Sequence, residues 1–194
     1  MMTLTPQDIQ KFWIRAYLGT TDDNKLIEAS INRAYRDFNR TLTGIGEVQT
    51  VEKFQTLQKF MKTIIVGLIN TQFNTQADFD IWHKGNCDKL KQQFNLYPYP
   101  LKYGQAQKWI NMTLKYLFAL GNEKINGITK NYAFFHIPVD NIIQDKLLES
   151  GIPKIIGCWS GIDNYDIYLD YQKKVRLTFK DTAPMDVEFK MFNE

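Results

Sequence analysis

Apolar residues recur at intervals of three and four along most of this chain, and this spacing is what most constrains its fold. Such spacing places apolar side chains on one face of an α-helix. Helices of this kind bury their apolar faces against one another, so the sequence predicts an all-α fold. The stripe predicted to lie at the centre of the core contains Val51, Phe54, Leu57, Met61, Ile64 and Leu68.

Capping residues, glycines and prolines separate these stripes and predict seven to eight helices in a single domain over residues 1–194. Thr5 is the expected N-cap of the first helix, with Pro6 at its first helical position and Gly19 at its end. Residues 43–46 predict a break, and the prolines of 97–100 predict an extended link. Further helices are predicted from about 27–38, 51–68, 78–94, 103–120, 138–148 and 160–172.

The C-terminal segment has two interpretations. Apolar residues alternate with polar ones over 175–179 and again over 187–191, which is the spacing of a strand and allows a short terminal hairpin. The alternative is a helix that continues to about Phe179, followed by a short final helix after Pro184. This second interpretation agrees better with the rest of the chain.

Composition limits the functional classes. A chain of 194 residues is long enough for one sizeable core, and a net charge of +3 is compatible with a nucleic-acid partner without requiring one. The first residues do not have the pattern of a signal peptide, and the most apolar run, 64–69, is too short to span a bilayer. Together with only two cysteines, these features predict a cytoplasmic protein without a membrane partner. They leave the oligomeric state open.

The predicted helix over 103–120 carries a polar stripe beside its apolar face. Gly104, Lys108, Asn111 and Lys115 share this stripe. A glycine where a helix begins allows an anion close to unpaired backbone N–H groups, and the helix dipole favours negative charge there. The two lysines could hold that anion, or one could act as an amine nucleophile. The alternative is that both lysines are solvated surface residues and that Gln105 is merely polar.

Asp140 is the second candidate for chemistry. Pro138 is predicted to open the next helix, which would put Asp140 in its first turn, where the dipole stabilises a carboxylate. Such a permanently ionised group can stabilise a developing positive charge. The alternative is an aspartate that only favours the start of the helix.

These residues resemble a known family over about Leu101–Leu148. Gly104-x-Ala106-x-Lys108, followed by Pro138-Val139-Asp140, resembles the helix-hairpin-helix DNA glycosylase superfamily. The resemblance implies DNA as partner, a hairpin at Gly104 and Ala106 that grips the DNA backbone, Lys108 as amine nucleophile and Asp140 as the carboxylate that stabilises the sugar cation. A base would be flipped into an aromatic pocket formed from Trp109, Phe134, Phe135 or Trp159.

This interpretation predicts no cofactor and no metal. His83 with Cys87, and His136 with Cys158, could supply four zinc ligands, but their spacing does not bring the pairs together, so core packing is the simpler interpretation. His136 could instead be a general acid or base. The alternative to a glycosylase-like function is a non-catalytic helical interaction protein, such as a bacterial or phage-encoded accessory factor. The predicted substrate contacts are Gly104, Gln105, Asn111, Lys115, His136 and Trp159.

Overall fold

The computed structural model describes residues 3–42, 45, 49–94, 97 and 100–193. Every regular element in these ranges is helical, which confirms the all-α class. Most of the predicted break at 43–46 and half of the link at 97–100 lie outside the described residues. The described α-helices are α1 (Pro6–Leu18), α2 (Leu26–Phe38), α3 (Val51–Asn70), α4 (Gln76–Gln93), α5 (Tyr103–Leu120), α6 (Asn141–Glu149), α7 (Tyr165–Thr178) and α8 (Pro184–Asn193).

Short 3₁₀ helices lie between several of these α-helices, and side-chain caps set the start of most α-helices. Thr5 caps α1 in a reciprocal box with Asp8, and Gly19 ends α1 in a left-handed conformation with φ 78°, as predicted. An equivalent box between Thr75 and Asp78 starts α4 slightly earlier than the predicted Asp78. The 3₁₀ helices are Asp23–Lys25, Asn39–Thr41, Ile128–Phe134 and Trp159–Gly161.

Helix α5 is the centre of the core, a place that the spacing had assigned to the helix over 51–68. Nearly all of its residues are buried, and its most extensive helix contact is with α2. The indole N–H of Trp109 donates to the carbonyl of Ile31 on α2, at 3.0 Å, so this buried polar group has a partner. The fully buried apolar face of α5 contains Ala106, Trp109, Ile110, Leu114 and Leu117.

Two predicted helix starts are wrong by a few residues. Helix α6 begins at Asn141, so Pro138 is not its first residue and Asp140 is its N-cap rather than part of its first turn. Helix α7 begins at Tyr165, with Asn164 as the cap. In both cases a side chain that accepts a hydrogen bond from the helix determines the boundary.

The C-terminal segment is helical, and the hairpin interpretation is wrong. Helix α7 continues to Thr178, and α8 follows from Pro184. The buried residues of α8 include Val187 and Glu188, three and four residues after Pro184, so the three share one helical face. Val187 and Met191 lie four apart on this helix, so the apparent alternation over 187–191 does not mark a strand.

Helix α1 packs on the core in an unusual way. None of its residues is buried, and Ile14 and Leu18 make its apolar contacts with the core. The aromatic part of its stripe points outward: Phe12 is 61% and Trp13 is 64% exposed. Among the described residues, no helix combines the length and the apolar character needed to cross a membrane.

A candidate active site in a basic groove

The two lysines of the α5 stripe are buried, so their interpretation as solvated residues is wrong. Lys108 is 4% and Lys115 is 5% exposed. Lys108 Nζ lies 2.5 Å from Asp140 Oδ2, and Lys115 forms an ion pair with Glu188 of α8. Each ammonium group is buried because another segment supplies a carboxylate that compensates for its loss of water.

Asp140 serves two purposes with its two oxygens. Oδ1 accepts a hydrogen bond from the backbone N–H of Ile143 at 2.9 Å and so caps α6, while Oδ2 contacts Lys108. The side chain remains 24% exposed. A carboxylate at a helix N-terminus is stabilised by the dipole, so Asp140 is a fixed negative charge that a ligand can still reach.

Gln107 positions Asp140 beside Lys108. Its amide oxygen accepts from the N–H of Val139 at 3.1 Å, and its amide nitrogen donates to the carbonyl of Val139 at 2.8 Å. This reciprocal pair fixes the backbone immediately before Asp140 against α5. This role of Gln107 is not visible in the sequence, because one glutamine on a helix carries no spacing signal.

Glu188 is the other residue that sequence reasoning missed. Burial raises the pKa of its carboxyl group, and the nearby Lys115 and Lys108 only partly offset this effect. Through its ion pair with Lys115, Glu188 joins α8 to α5. It lies close to Lys108 and Asp140. It lies far from α5 in the sequence, and only the packing of the last helix brings it there.

A groove of about 590 Å³ opens above these pairs. Five cationic side chains and two carboxylates line it, so its lining carries positive charge. The described cationic residues are Arg33, Arg36, Arg40, Lys108 and Lys115, the carboxylates are Asp37 and Asp140, and the aromatic residues are Tyr17, Tyr116, Phe189 and Phe192.

The arginine wall of the groove contains both paired and unpaired cations. Arg33 contacts Asp37 at 3.1 Å and lies 4.5 Å from the ring centre of Tyr17. Arg36 and Arg40 are exposed, and within the described part of the chain neither forms an ion pair or a side-chain hydrogen bond. These two guanidinium groups are therefore free to bind an anionic ligand.

A hydrogen-bonded cluster joins this wall to α1 and α5. Tyr116 donates to Asp37 at 2.5 Å, and Tyr17 donates to Tyr116 at 3.1 Å. Burial raises the pKa of Tyr116, and its hydrogen bonds with Asp37 and Tyr17 raise it further. Tyr116 is therefore a neutral phenol in the groove, and its contact with Tyr17 holds the end of α1 at the rim.

Gly104 does not provide the open anion site that its position suggested. It lies inside the first turn of α5, where a side-chain methyl group would overlap the carbonyl oxygen of Trp159. Its N–H donates to the carbonyl of Ile162 at 3.0 Å. Glycine is needed here because two backbones approach closely, and this packing leaves no room for a phosphate.

The hairpin positions and Gln105 are also structural. Gly104 and Ala106 both lie within α5 rather than in a turn between two helices. Gln105 accepts from the N–H of Lys102 at 2.9 Å and donates to the carbonyl of Thr41 at 3.0 Å. Its amide is thereby used to cap α5 and to tie α5 to the turn after α2.

Asn111 and His136 are fully buried members of a hydrogen-bonded network and do not line the groove. Asn111 Oδ1 lies 3.1 Å from His83 Nε2, and Asn111 Nδ2 donates to the Tyr168 hydroxyl at 2.8 Å. That hydroxyl lies 2.9 Å from His136 Nδ1, and His136 Nε2 lies 2.8 Å from Asp80. Neither Asn111 nor His136 is therefore placed to contact a ligand in the groove.

Both histidines of this network are neutral. Burial lowers the pKa of His83 and of His136, and for His136 the contact with Asp80 only partly offsets this effect. Burial alone would raise the pKa of Asp80, but hydrogen bonds from His136 and Gln76 and the charge of Arg176 lower it. The network thus holds one ionised carboxylate and two neutral rings inside the core.

The aromatic residues expected to form a base pocket are core residues. Trp109 and Phe135 are fully buried, Trp159 is 7% exposed, and Phe134 does not line the groove among the described residues. The aromatic groups at the groove are instead those of α1, α5 and α8. Of the predicted substrate contacts, only Lys115 lies in the groove.

The four zinc-ligand candidates are not assembled. Cys87 Sγ lies 3.7 Å from His83 Nδ1, but Cys158 is exposed and contacts Ser160. Within the described ranges, no three histidine, cysteine or acidic side chains are arranged to hold a metal ion.

Comparisons with protein-family models, with curated proteins and with solved structures found no match to this chain. The groove and its side chains are therefore the features of the molecule that bear on its function.

Proposed function

We propose that this protein acts on DNA in the manner of a glycosylase, with the groove as its active site. The observation that carries the proposal is the direct contact of Lys108 Nζ with Asp140 Oδ2, at 2.5 Å, on the floor of a basic groove. An enzyme of this kind needs both side chains within reach of one sugar. It also needs cations that bind phosphate groups on either side of it.

Arg36 and Arg40 suit the phosphate-binding role. Both are exposed at the groove and are not used by ion pairs in the described structure. A guanidinium group binds a phosphate with two parallel hydrogen bonds, which fixes the strand as well as attracting it. A strand held there would present its sugar to the carboxylate below.

Asp140 supplies the charge that base release requires. As the bond from sugar C1′ to the base breaks, its electron pair leaves with the base and C1′ becomes cationic. A fixed carboxylate stabilises that cation, as in glycoside hydrolysis. Water then adds to C1′ and gives up a proton, and the departing base takes up a proton.

Lys108 is the candidate nucleophile for an alternative path. The Lys108 ammonium gives a proton to the departing base, and the neutral amine that results attacks C1′ in place of water. The attacking nitrogen loses a second proton as the new bond forms, and the ring oxygen takes up a proton as the sugar ring opens to give a Schiff base. Hydrolysis of that Schiff base returns the free lysine.

The test measures base release from duplexes that contain damaged bases, using Asp140→Asn. Asparagine keeps the α6 cap but removes the charge, so we expect base release to fall by roughly a hundredfold or more. Asp145→Asn is the matched control, because Asp145 lies on the same helix and forms an exposed pair with Lys154. Thermal unfolding of both variants separates lost chemistry from lost folding.

Borohydride trapping then distinguishes the two paths. A covalent protein–DNA product that disappears in Lys108→Gln would assign the amine path, and base release without trapping would assign the water path. Wild-type base release by folded Asp140→Asn would contradict the proposal.

A second candidate function is that of a non-catalytic interaction protein. The observation in its favour is the outward aromatic face of α1, since monomeric proteins rarely expose large contiguous apolar patches. This candidate requires no reaction at Asp140 and predicts that Asp140→Asn changes only stability.

A further inference from the structure

The exposed face of α1 continues from the groove along one line of side chains. Tyr17 lines the groove, where its ring contacts that of Tyr116 with centres 5.5 Å apart. Trp13 lies one helical turn before Tyr17 on the same face of α1. Phe12 packs edge-on against Trp13, with ring centres 5.2 Å apart. We call Phe12, Trp13 and Tyr17 the α1 aromatic face.

This face has the form of a stacking surface. Phe12 and Trp13 are each more than half exposed, and neither is used in core packing. Aromatic rings that remain in water on a helix cost free energy unless a ligand or partner covers them. Their planes offer contact to other planar groups.

The charges around the face select the ligand. Of the exposed cations of α1, Arg15 lies one turn from Phe12, whereas Lys11 lies on the other side of the helix. At the groove end of the face stand Arg33 and Arg36. A ligand that carries both planar groups and regularly spaced negative charge matches this arrangement, which is the chemistry of an unpaired polynucleotide strand.

We propose that the α1 aromatic face stacks against the bases of unpaired nucleotides, so that the strand entering the groove is single-stranded beside the target nucleotide. In a duplex the bases are already stacked on each other, and only their edges and the backbone are accessible. This inference rests on the proposed function of the groove, and it adds the state of the strand that the groove prefers.

Trp13 provides a direct signal for the test. Of the four tryptophans in the chain, Trp109 and Trp159 are buried and Trp82 is half-buried, so only Trp13 is largely exposed. The full chain is titrated with a thymidine oligonucleotide of about 15 nucleotides, near the upper end of known site sizes. We expect quenching of the tryptophan fluorescence by this single strand, and loss of that quenching in Trp13→Phe.

Binding measurements with variants supply the magnitude. Trp13→Ala should weaken single-strand binding by between about fivefold and a hundredfold, the range of base stacking on one aromatic side chain, and should leave duplex binding unchanged. Ile81→Ala is the control, because Ile81 is an exposed apolar residue on another helix and should change neither. Circular dichroism checks that the variants fold.

The outcomes separate this inference from the function on which it rests. The double variant Arg36→Gln/Arg40→Gln tests the groove itself, with Lys89→Gln/Lys173→Gln as an equally charged control on exposed lysines elsewhere. If the arginine variant weakens binding but Trp13→Ala does not, the inference is overturned and the groove function stands. If neither changes binding, both are overturned. If Trp13→Ala instead converts a dimer into a monomer, the face binds a second copy and the inference is overturned.

Discussion

Two groups of polar side chains contact α5, and they differ in how much of each group a ligand can reach. Around His83 and His136, each ring nitrogen has a partner inside the core. Around Lys108, the pair ends in Asp140, whose side chain remains partly exposed to the groove. Both groups contain residue types that are found in catalytic sites, but among the described residues only the second group opens to the groove.

Each group contains residues from the same stripe of α5. Lys108 and Lys115 lie on the same stripe as Asn111, yet the lysines reach the groove while Asn111 contacts His83 and Tyr168 in the core. The long lysine side chains extend past the contact surface to the carboxylates of α6 and α8. The segments packed against a helix therefore decide which polar residues become available, and the spacing on the helix does not.

The largest loss of stability should come from removing Asp80, the carboxylate of the network around His83 and His136. Asp80→Ala leaves His136 without its acceptor and Arg176 without its counterion, so we expect a loss of about 3–5 kcal/mol in the free energy of unfolding, as for other broken buried pairs. Urea denaturation measures it. Asp145→Ala, which removes an exposed carboxylate, should cost less than about 1 kcal/mol. Equal losses in the two variants would contradict the comparison.

The two groups should also respond to pH with opposite signs. The pKa values of His83 and His136 are lowered below the ordinary 6.5, so below that pH the unfolded chain binds more protons. We expect stability to fall as the pH drops through this region, by at most about 1.4 kcal/mol per pH unit for each histidine. Unfolding curves between pH 7 and 5 measure this slope.

Asp80 and Glu188 extend this comparison at lower pH. The lowered pKa of Asp80 contributes stability that is present above 3.8 and is lost as the pH falls through its folded-state value. The raised pKa of Glu188 does the opposite: its contribution is present below 4.5 and is lost as the pH rises through its folded-state value. Glu188→Gln should remove the second effect, and an unchanged acid profile in that variant would contradict the assignment.

Much of the fold follows from local signals, which explains why the sequence predicts it well. Thr5, Gly19 and Pro184 act on the backbone within a turn of their own positions, so their effects are visible in the sequence. The outward face of α1 is different, because its spacing is as regular as that of a buried helix. Exposure depends on what packs against a helix, and the spacing along it carries no information about that.

The candidate site is predicted only in part, for the same reason. Lys108 and Asp140 stand out because a lysine on a mixed helix face and an aspartate at a helix start have local signatures. Glu188, Arg36 and the role of Gln107 depend on contacts between distant segments. The position of Gly104 at the start of α5 predicts an anion site, but glycine is required there because the carbonyl of Trp159 packs closely against it.

The smallest effect should come from replacing both members of the Lys115–Glu188 pair. Lys115→Met alone leaves a buried carboxylate without its cation, so we expect a clear loss of stability, limited because Glu188 can take up a proton. The double variant Lys115→Met/Glu188→Leu leaves no buried charge, and its stability should lie within about 1 kcal/mol of the wild type or above it. Chemical denaturation of the single and double variants gives the coupling energy.

The double variant Lys108→Met/Asp140→Leu should lower the free energy of unfolding more than Lys115→Met/Glu188→Leu does, and it is therefore the matched comparison. Leucine at position 140 removes the oxygen that accepts from Ile143, and loss of such a cap costs about 1 kcal/mol. If instead both double variants are equally stable, the cap at Asp140 contributes nothing measurable to the free energy of unfolding. A larger cost at Lys108 and Asp140 would mean that this pair fixes the N-terminus of α6 as well as neutralising charge, as a preorganised active-site carboxylate requires.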